Sequence, residues 1–153
     1  MESKIIAQAK KSFRDYKIIE KFIAGIVLTG NEIKSLRSHQ VSINEAYILP
    51  QQKELYVINM HIANYKYSYA NNLTGSYDTR RKRKLLLARK EINKLIGTMK
   101  AKSYTLIPLQ LFINGKGWAK LEIALSQRLR KYQIKEKVKE REIKRKLREE
   151  DFY

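Results

Sequence analysis

Hydrophobic and polar positions along this chain change rhythm several times, and each rhythm predicts a different element. From Tyr16 to Leu28, YKIIEKFIAGIVL is dense in β-branched residues and reads as a strand, with Gly25 marking a bulge or bend. TGNEIKSLRSHQ predicts a short helix: Thr29 or Asn31 can cap it, and Ile33 and Leu36 stand one turn apart. AYILPQQKELYVINMHI predicts a hairpin turning through Pro50 to Lys53. From Lys84 to Ile96, KLLLARKEINKLI shifts to helical spacing. There Leu85, Ala88, Ile92, Leu95 and Ile96 share a stripe that Leu86 and Leu87 cannot both join. YTLIPLQLFINGKGWAKLEIAL then predicts two strands joined by Asn114-Gly115-Lys116-Gly117, a strong turn signal. In the second of these strands, Ala119, Leu121, Ile123 and Leu125 alternate with Trp118, Lys120, Glu122 and Ala124, which implies one buried and one wet face. Pro108 has no N–H to give a neighbour, so its strand is expected to lie at an edge or to bulge there.

No internal repeat and no Pro/Gly-rich linker divides this body. Several short strands around one central helix predict a mainly β fold, with an OB-like closed antiparallel barrel and about three short helices. Residues 1–127 form the predicted barrel domain. Residues 128–153, RLRKYQIKEKVKEREIKRKLREEDFY, differ in kind. Glu140–Lys144 and Glu142–Lys146 are helix-supporting pairs worth ~0.2–0.5 kcal/mol each. Ile134–Val138 and Ile143–Leu147 add only a thin apolar seam. A segment this charged buries too little surface to order itself alone, so it is expected to be disordered when free and helical along an RNA groove.

Charge sharpens the picture. The 153 residues carry 33 Lys+Arg against 15 Asp+Glu, a net +18. It is unevenly spread: residues 1–79 net +3, residues 80–102 net +9, residues 103–127 net +1 and residues 128–153 net +5. A nearly neutral body with an intense basic segment and a basic tail implies a polyanionic partner, nucleic acid before membrane. No run approaches the ~18 apolar residues of a spanning helix, and the N-terminus MESKIIAQAKKSF lacks the apolar core of a secretion signal. The expectation is a cytoplasmic protein. The centre of the charge is Arg80, Arg81, Lys82, Arg83 and Lys84, which run straight into three leucines and are the candidate contacts to RNA phosphate.

Candidate catalytic chemistry is sparse. There is no cysteine, the two histidines His39 and His61 fit no metal spacing, and Asp15, Glu32, Glu45 and Glu54 are scattered. The expectation is a binding protein without cofactor rather than an enzyme. Glu32 has a sufficient local role, as a first-turn carboxylate favoured by its helix dipole. Tyr65, Tyr67 and Tyr69 alternate beside Lys66 and could form a stacking platform or a loop with partly packed rings.

At this point the chain resembles a known family, SmpB, the SsrA-binding proteins of bacterial ribosome rescue. AGIVLTGNEIKSLR (Ala24 to Arg37) is similar to the family's AGI-L-G-E-KSLR string, RKRKLLLARKEINKLIG to its R-RKLLL-EI-L-G segment, and YTLIPLQLF with AKLEIAL to its closing strands. The resemblance spans nearly the full length. It implies an OB-like barrel that binds the tRNA-like domain of tmRNA and delivers it to stalled ribosomes for trans-translation. The tail would enter the decoding centre and the mRNA channel of the small subunit. Elongation factor Tu would be an indirect partner through charged tmRNA, and the protein would act as a monomer. A generic single-stranded RNA binder or ribosomal OB-fold protein is the alternative.

The resemblance also implies site residues. Leu86 matches the leucine of the LLL motif at the RNA surface; on residues alone the reading that all three leucines are core is the favoured one, and the resemblance tips it for Leu86. Lys120 matches a tmRNA-contacting lysine and Tyr16 the tyrosine that opens the first strand, where wall packing competes with base stacking. Ile23 stands where the family has a glutamate, and Ala9 where it has an asparagine. In the tail the implied ribosome contacts are Arg130, Lys131, Tyr132, Lys135, Lys139 and Arg141, with Tyr132 at the stacking position. There Arg128, Gln133 and Ile134 depart from the family's motif.

Overall fold

The computed structural model describes residues 3–9, 15–63, 78–129, 139 and 141–145. It is mainly β. The strands are β1 (Lys4–Gln8), β2 (Tyr16–Ile26), β3 (Val41–Ser42), β4 (Tyr47–Gln51), β5 (Glu54–Ile58), β6 (His61–Ile62), β7 (Arg83–Leu86), β8 (Thr105–Ile113) and β9 (Ala119–Arg128). Among the described residues they are interrupted by the helices α1 (Gly30–Arg37) and α2 (Arg89–Lys102), and residues 141–145 are also helical. The large sheet is antiparallel, in the order β1-β8-β4-β5-β7-β2-β9, and β8 also pairs with β9. The pairings therefore run from β8 through β4, β5, β7, β2 and β9 and return to β8. β3 and β6 form a separate two-stranded ribbon.

The inward positions make one continuous core, with Ala24, Leu36, Leu55, Val57, Leu85, Leu106, Leu111, Leu121 and Ile123 at its centre. α2 lays Ile92 and Leu95 on it. A second, smaller cluster of Ile107, Leu109 and Ala124 forms on the opposite side of β8 and β9 and is packed by Tyr16 and Ile18. The alternation expected in β9 therefore fails in its second half, where Ala124 and Ser126 are buried as well as Ile123 and Leu125.

Local chemistry explains several boundaries and corrects others. Thr29 caps α1: its side chain accepts from the Glu32 N–H at 3.2 Å while Glu32 Oε1 accepts from the Thr29 N–H at 2.9 Å. The bulge of β2 falls between Ile18 and Glu20, not at Gly25. The β4–β5 hairpin turns on Gln52 and Lys53, both at positive φ, while Pro50 lies within β4 opposite Leu55. Such a turn usually advertises itself with Asn-Gly, which is absent here. Pro108 sits at a register shift of β8 against β9, so the bulge expectation holds. β1 carried no recognisable signal. The largest correction concerns the leucine triplet: residues 83–86 are a strand and the helix begins only at Arg89.

Candidate nucleic-acid interface

β7 lies between β5 and β2, so its side chains alternate between the core and the outer face. Leu85 is buried and Leu86 is 51% exposed. The all-core reading of the triplet is therefore excluded for Leu86. The same alternation divides the cations. Arg83 points inward and is 0% exposed, which corrects its assignment as an RNA contact. Its Nε donates to Glu32 Oε2 at 2.6 Å, Nη1 to the Met60 carbonyl at 2.6 Å and Nη2 to the Thr79 carbonyl at 3.0 Å. Glu32 is equally buried and also pairs with Arg81. The helix-dipole account of Glu32 is thus insufficient: the carboxylate ties α1 to the basic segment.

The other cations have different surroundings. Arg80 is exposed, donates to Asn59 Oδ1 at 3.0 Å and lies 3.7 Å from Glu45. Arg81 is half-buried against Glu32. Lys82 is exposed, 4.5 Å from the centre of the Tyr56 ring and 2.6 Å from Gln51 Oε1. Lys84 is outward, opposite Tyr56 and 4.0 Å from Glu54. A hydrogen bond from Arg89 holds the Glu54 carboxyl below the usual carboxylate range.

Register assembles the remaining candidates into one face. Gly25 lies opposite Leu86 on one side and Lys120 on the other. Opposed residues sit ~4.5–5.5 Å apart, so Leu86 and Lys120 flank the glycine about 10 Å from each other. The space beside this glycine is tight: a Cβ on residue 25 would stand 3.2 Å from Leu86 Cβ and 3.6 Å from its Cδ1, so Leu86 would have to yield by a few tenths of an ångström. Leu86 therefore leans over the backbone of β2. Ile23, two residues back on β2 and 57% exposed, joins this face opposite Glu122. Tyr16 does not. It lies nine positions earlier on β2, ~30 Å along the strand, among the smaller apolar cluster. Ala9 is buried in the core.

Alongside this row lies a cavity of about 640 Å³ whose lining includes Gly25, Val27, Leu86, Lys116, Trp118 and Lys120. Trp118 is the functional candidate that sequence reasoning passed over as one more wet-face position. It is the single tryptophan of the chain and is 65% exposed. The available signal was its place directly after the Asn-Gly-Lys-Gly turn, with the same strand parity as Lys120.

Among the described residues no group of three or more His, Cys, Asp or Glu could hold a metal ion, and no helix is long and apolar enough to cross a membrane. Lys139 and Arg141 are exposed and helical. Arg130, Lys131, Tyr132, Lys135, Gln133, Ile134 and the Tyr65–Tyr67–Tyr69 series lie outside the described residues.

Comparison with known proteins gives a consistent result. The family model described as SmpB protein matches residues 6–151. The chain is 42% identical to the SsrA-binding protein of Mycoplasma mycoides, covering 95% of this chain and 96% of that one. It is 43% identical to that of Sulfurihydrogenibium sp., covering 96% and 93%. A solved structure described as "tmRNA-SmpB: a journey to the center of the bacterial ribosome" matches with a TM-score of 0.64 and 38% identity, over 81% of this chain and 84% of that chain.

Proposed function

Because the chain belongs to the SmpB family, we propose that it binds the tRNA-like domain of tmRNA with the outer face of β7, β2 and β9 and delivers tmRNA to stalled ribosomes. The observation that carries this reading is the row Leu86–Gly25–Lys120, in which an exposed leucine and a lysine flank bare backbone. Lys84, Lys82 and Arg80 border it with cations that reach phosphate, and the leucine packs on splayed bases or sugars. Arg81 contributes from its half-buried position, and Ile23 extends the apolar part of the face where a carboxylate would repel phosphate.

The closed circuit of strand pairings supports reading residues 1–127 as an OB-like barrel. Residues 128–153 act as a second unit, disordered when free and helical on the ribosome. There Arg130, Lys131, Lys135, Lys139 and Arg141 meet RNA in the decoding centre and mRNA channel, and Tyr132 stacks on a base. The protein works in the cytoplasm as a monomer, without cofactor or catalysis of its own, and meets elongation factor Tu only through charged tmRNA.

Competition tests the binding step. Labelled tRNA-like domain bound to the full chain should resist displacement by bulk tRNA and by unstructured oligonucleotide. Equal displacement by all three would instead describe a generic RNA binder. Deleting residues 128–153 should leave this binding within a few fold and abolish tagging of stalled chains; loss of binding with tagging spared would refute the division of labour.

A further inference from the structure

The cavity beside Gly25 has features that a general electrostatic grip does not need. Tryptophan is highly buried on average, yet Trp118 is 65% exposed at the cavity's edge. Its position is not loose. Asn114 Oδ1 accepts from the Trp118 N–H at 2.9 Å and from the Lys116 N–H at 3.1 Å. The Asn114 N–H donates to the Trp118 carbonyl at 2.9 Å, and the Gly117 N–H to the Asn114 carbonyl at 2.9 Å. Gly117 supplies the positive φ of 84° that this turn requires. One asparagine side chain thus fastens the backbone that carries the indole.

The opposite wall is apolar, from Leu86 and Val27, and Gly25 keeps backbone accessible on one side. Lys116 and Lys120 are the charged residues among the described lining. At about 640 Å³ the space falls within the range of small-ligand sites, ~300–1,000 Å³. A flat aromatic surface facing an aliphatic wall, with ammonium groups at the rim, complements an aromatic ring that carries a phosphate. A base within a duplex cannot present its face, whereas an unpaired one can.

Resting on the RNA-binding reading above, we propose that this cavity receives one unpaired base of the bound RNA, stacked on Trp118 against Leu86, with Lys116 and Lys120 on its flanking phosphates. The site tolerates any of the four bases, because each has a π-face, and selects for an extruded nucleotide rather than for a sequence.

Trp118 is the chain's single tryptophan, so its fluorescence reports on this position alone. The probe is the tRNA-like domain of tmRNA, with its unpaired loop nucleotides replaced one at a time by abasic residues. Intact RNA should quench the emission of the full-length protein, and one abasic position should relieve the quenching and weaken binding. Trp118→Ala should lower affinity about 5- to 150-fold, while Trp118→Phe should retain most of it. The abasic penalty should vanish in Trp118→Ala, because ring and base act as a pair. Melting should be unchanged in both variants, as the side chain is mostly in solvent. Unaltered emission on saturation with intact RNA, or additive losses from the abasic position and Trp118→Ala, would overturn the stacking site while leaving the RNA-binding reading standing. Failure of the intact RNA to bind at all would overturn that reading first, and this one with it.

Discussion

Replacing Arg83 by methionine separates the buried structural cation from the neighbouring cations proposed to bind RNA. Methionine keeps much of the aliphatic bulk and removes three donors. Glu32, itself fully buried, then loses one of its guanidinium partners, and the Met60 and Thr79 carbonyls lose their charged donor. Breaking a buried ion pair from one side costs ~3–5 kcal/mol. For a chain of this size each kcal/mol lowers the melting temperature by ~2–4 °C, so Arg83→Met should melt about 6–20 °C below the wild type. Lys84→Met is the control. Lys84 is outward and only 4.0 Å from a partly exposed Glu54, so its loss should change stability by less than ~1 kcal/mol. It should instead reduce the slope of log affinity against log salt by ~0.7–0.9, because one phosphate fewer is neutralised in the complex. Thermal unfolding and RNA titration at several salt concentrations decide the matter. If Arg83→Met melted like the wild type while flattening the salt dependence, Arg83 would be a surface cation and the buried Arg83–Glu32 pair would be wrong.

Three further outcomes follow from the same geometry. Leu85→Ala should cost ~2–5 kcal/mol as a buried leucine, whereas Leu86→Ala should leave melting nearly unaltered and weaken RNA binding; a large melting loss in Leu86→Ala would sink its role at the RNA surface. Gly25→Val should push Leu86 off β2, lowering RNA affinity with a stability loss of ~1–3 kcal/mol from crowding; unchanged affinity and melting would show that the space is not needed. The Glu54 carboxyl is held low by Arg89, so its contribution to stability is present above the ordinary carboxylate range and is lost as pH falls through its folded value. Unfolding measured across acidic pH should therefore steepen less in Glu54→Gln than in the wild type.

Much of the local structure is written in short stretches of sequence because its causes are short-ranged. Thr29 and Glu32 form a capping box from residues three apart, and the Asn114–Gly117 turn needs only its own side chain and one glycine. The net charge, and the uneven share in residues 80–102, are likewise readable without a fold. The resemblance singles out Leu86 and Lys120 but gives no reason why they should stand in one row across Gly25. That reason is tertiary. RKLLLARKEI satisfies a helical stripe as well as a strand, and only pairing with β5 and β2 selects the two-residue period through Leu86. Once that period holds, Arg83 and Leu85 must go in while Lys84 and Leu86 must come out. The burial of Arg83 depends on a carboxylate 51 residues away in the chain. Gly25 reads as a bend in sequence because the neighbour that crowds it, Leu86, arrives on another strand. A buried charge and a bare glycine are stable only beside specific partners, and chain folding, not local pattern, brings those partners together.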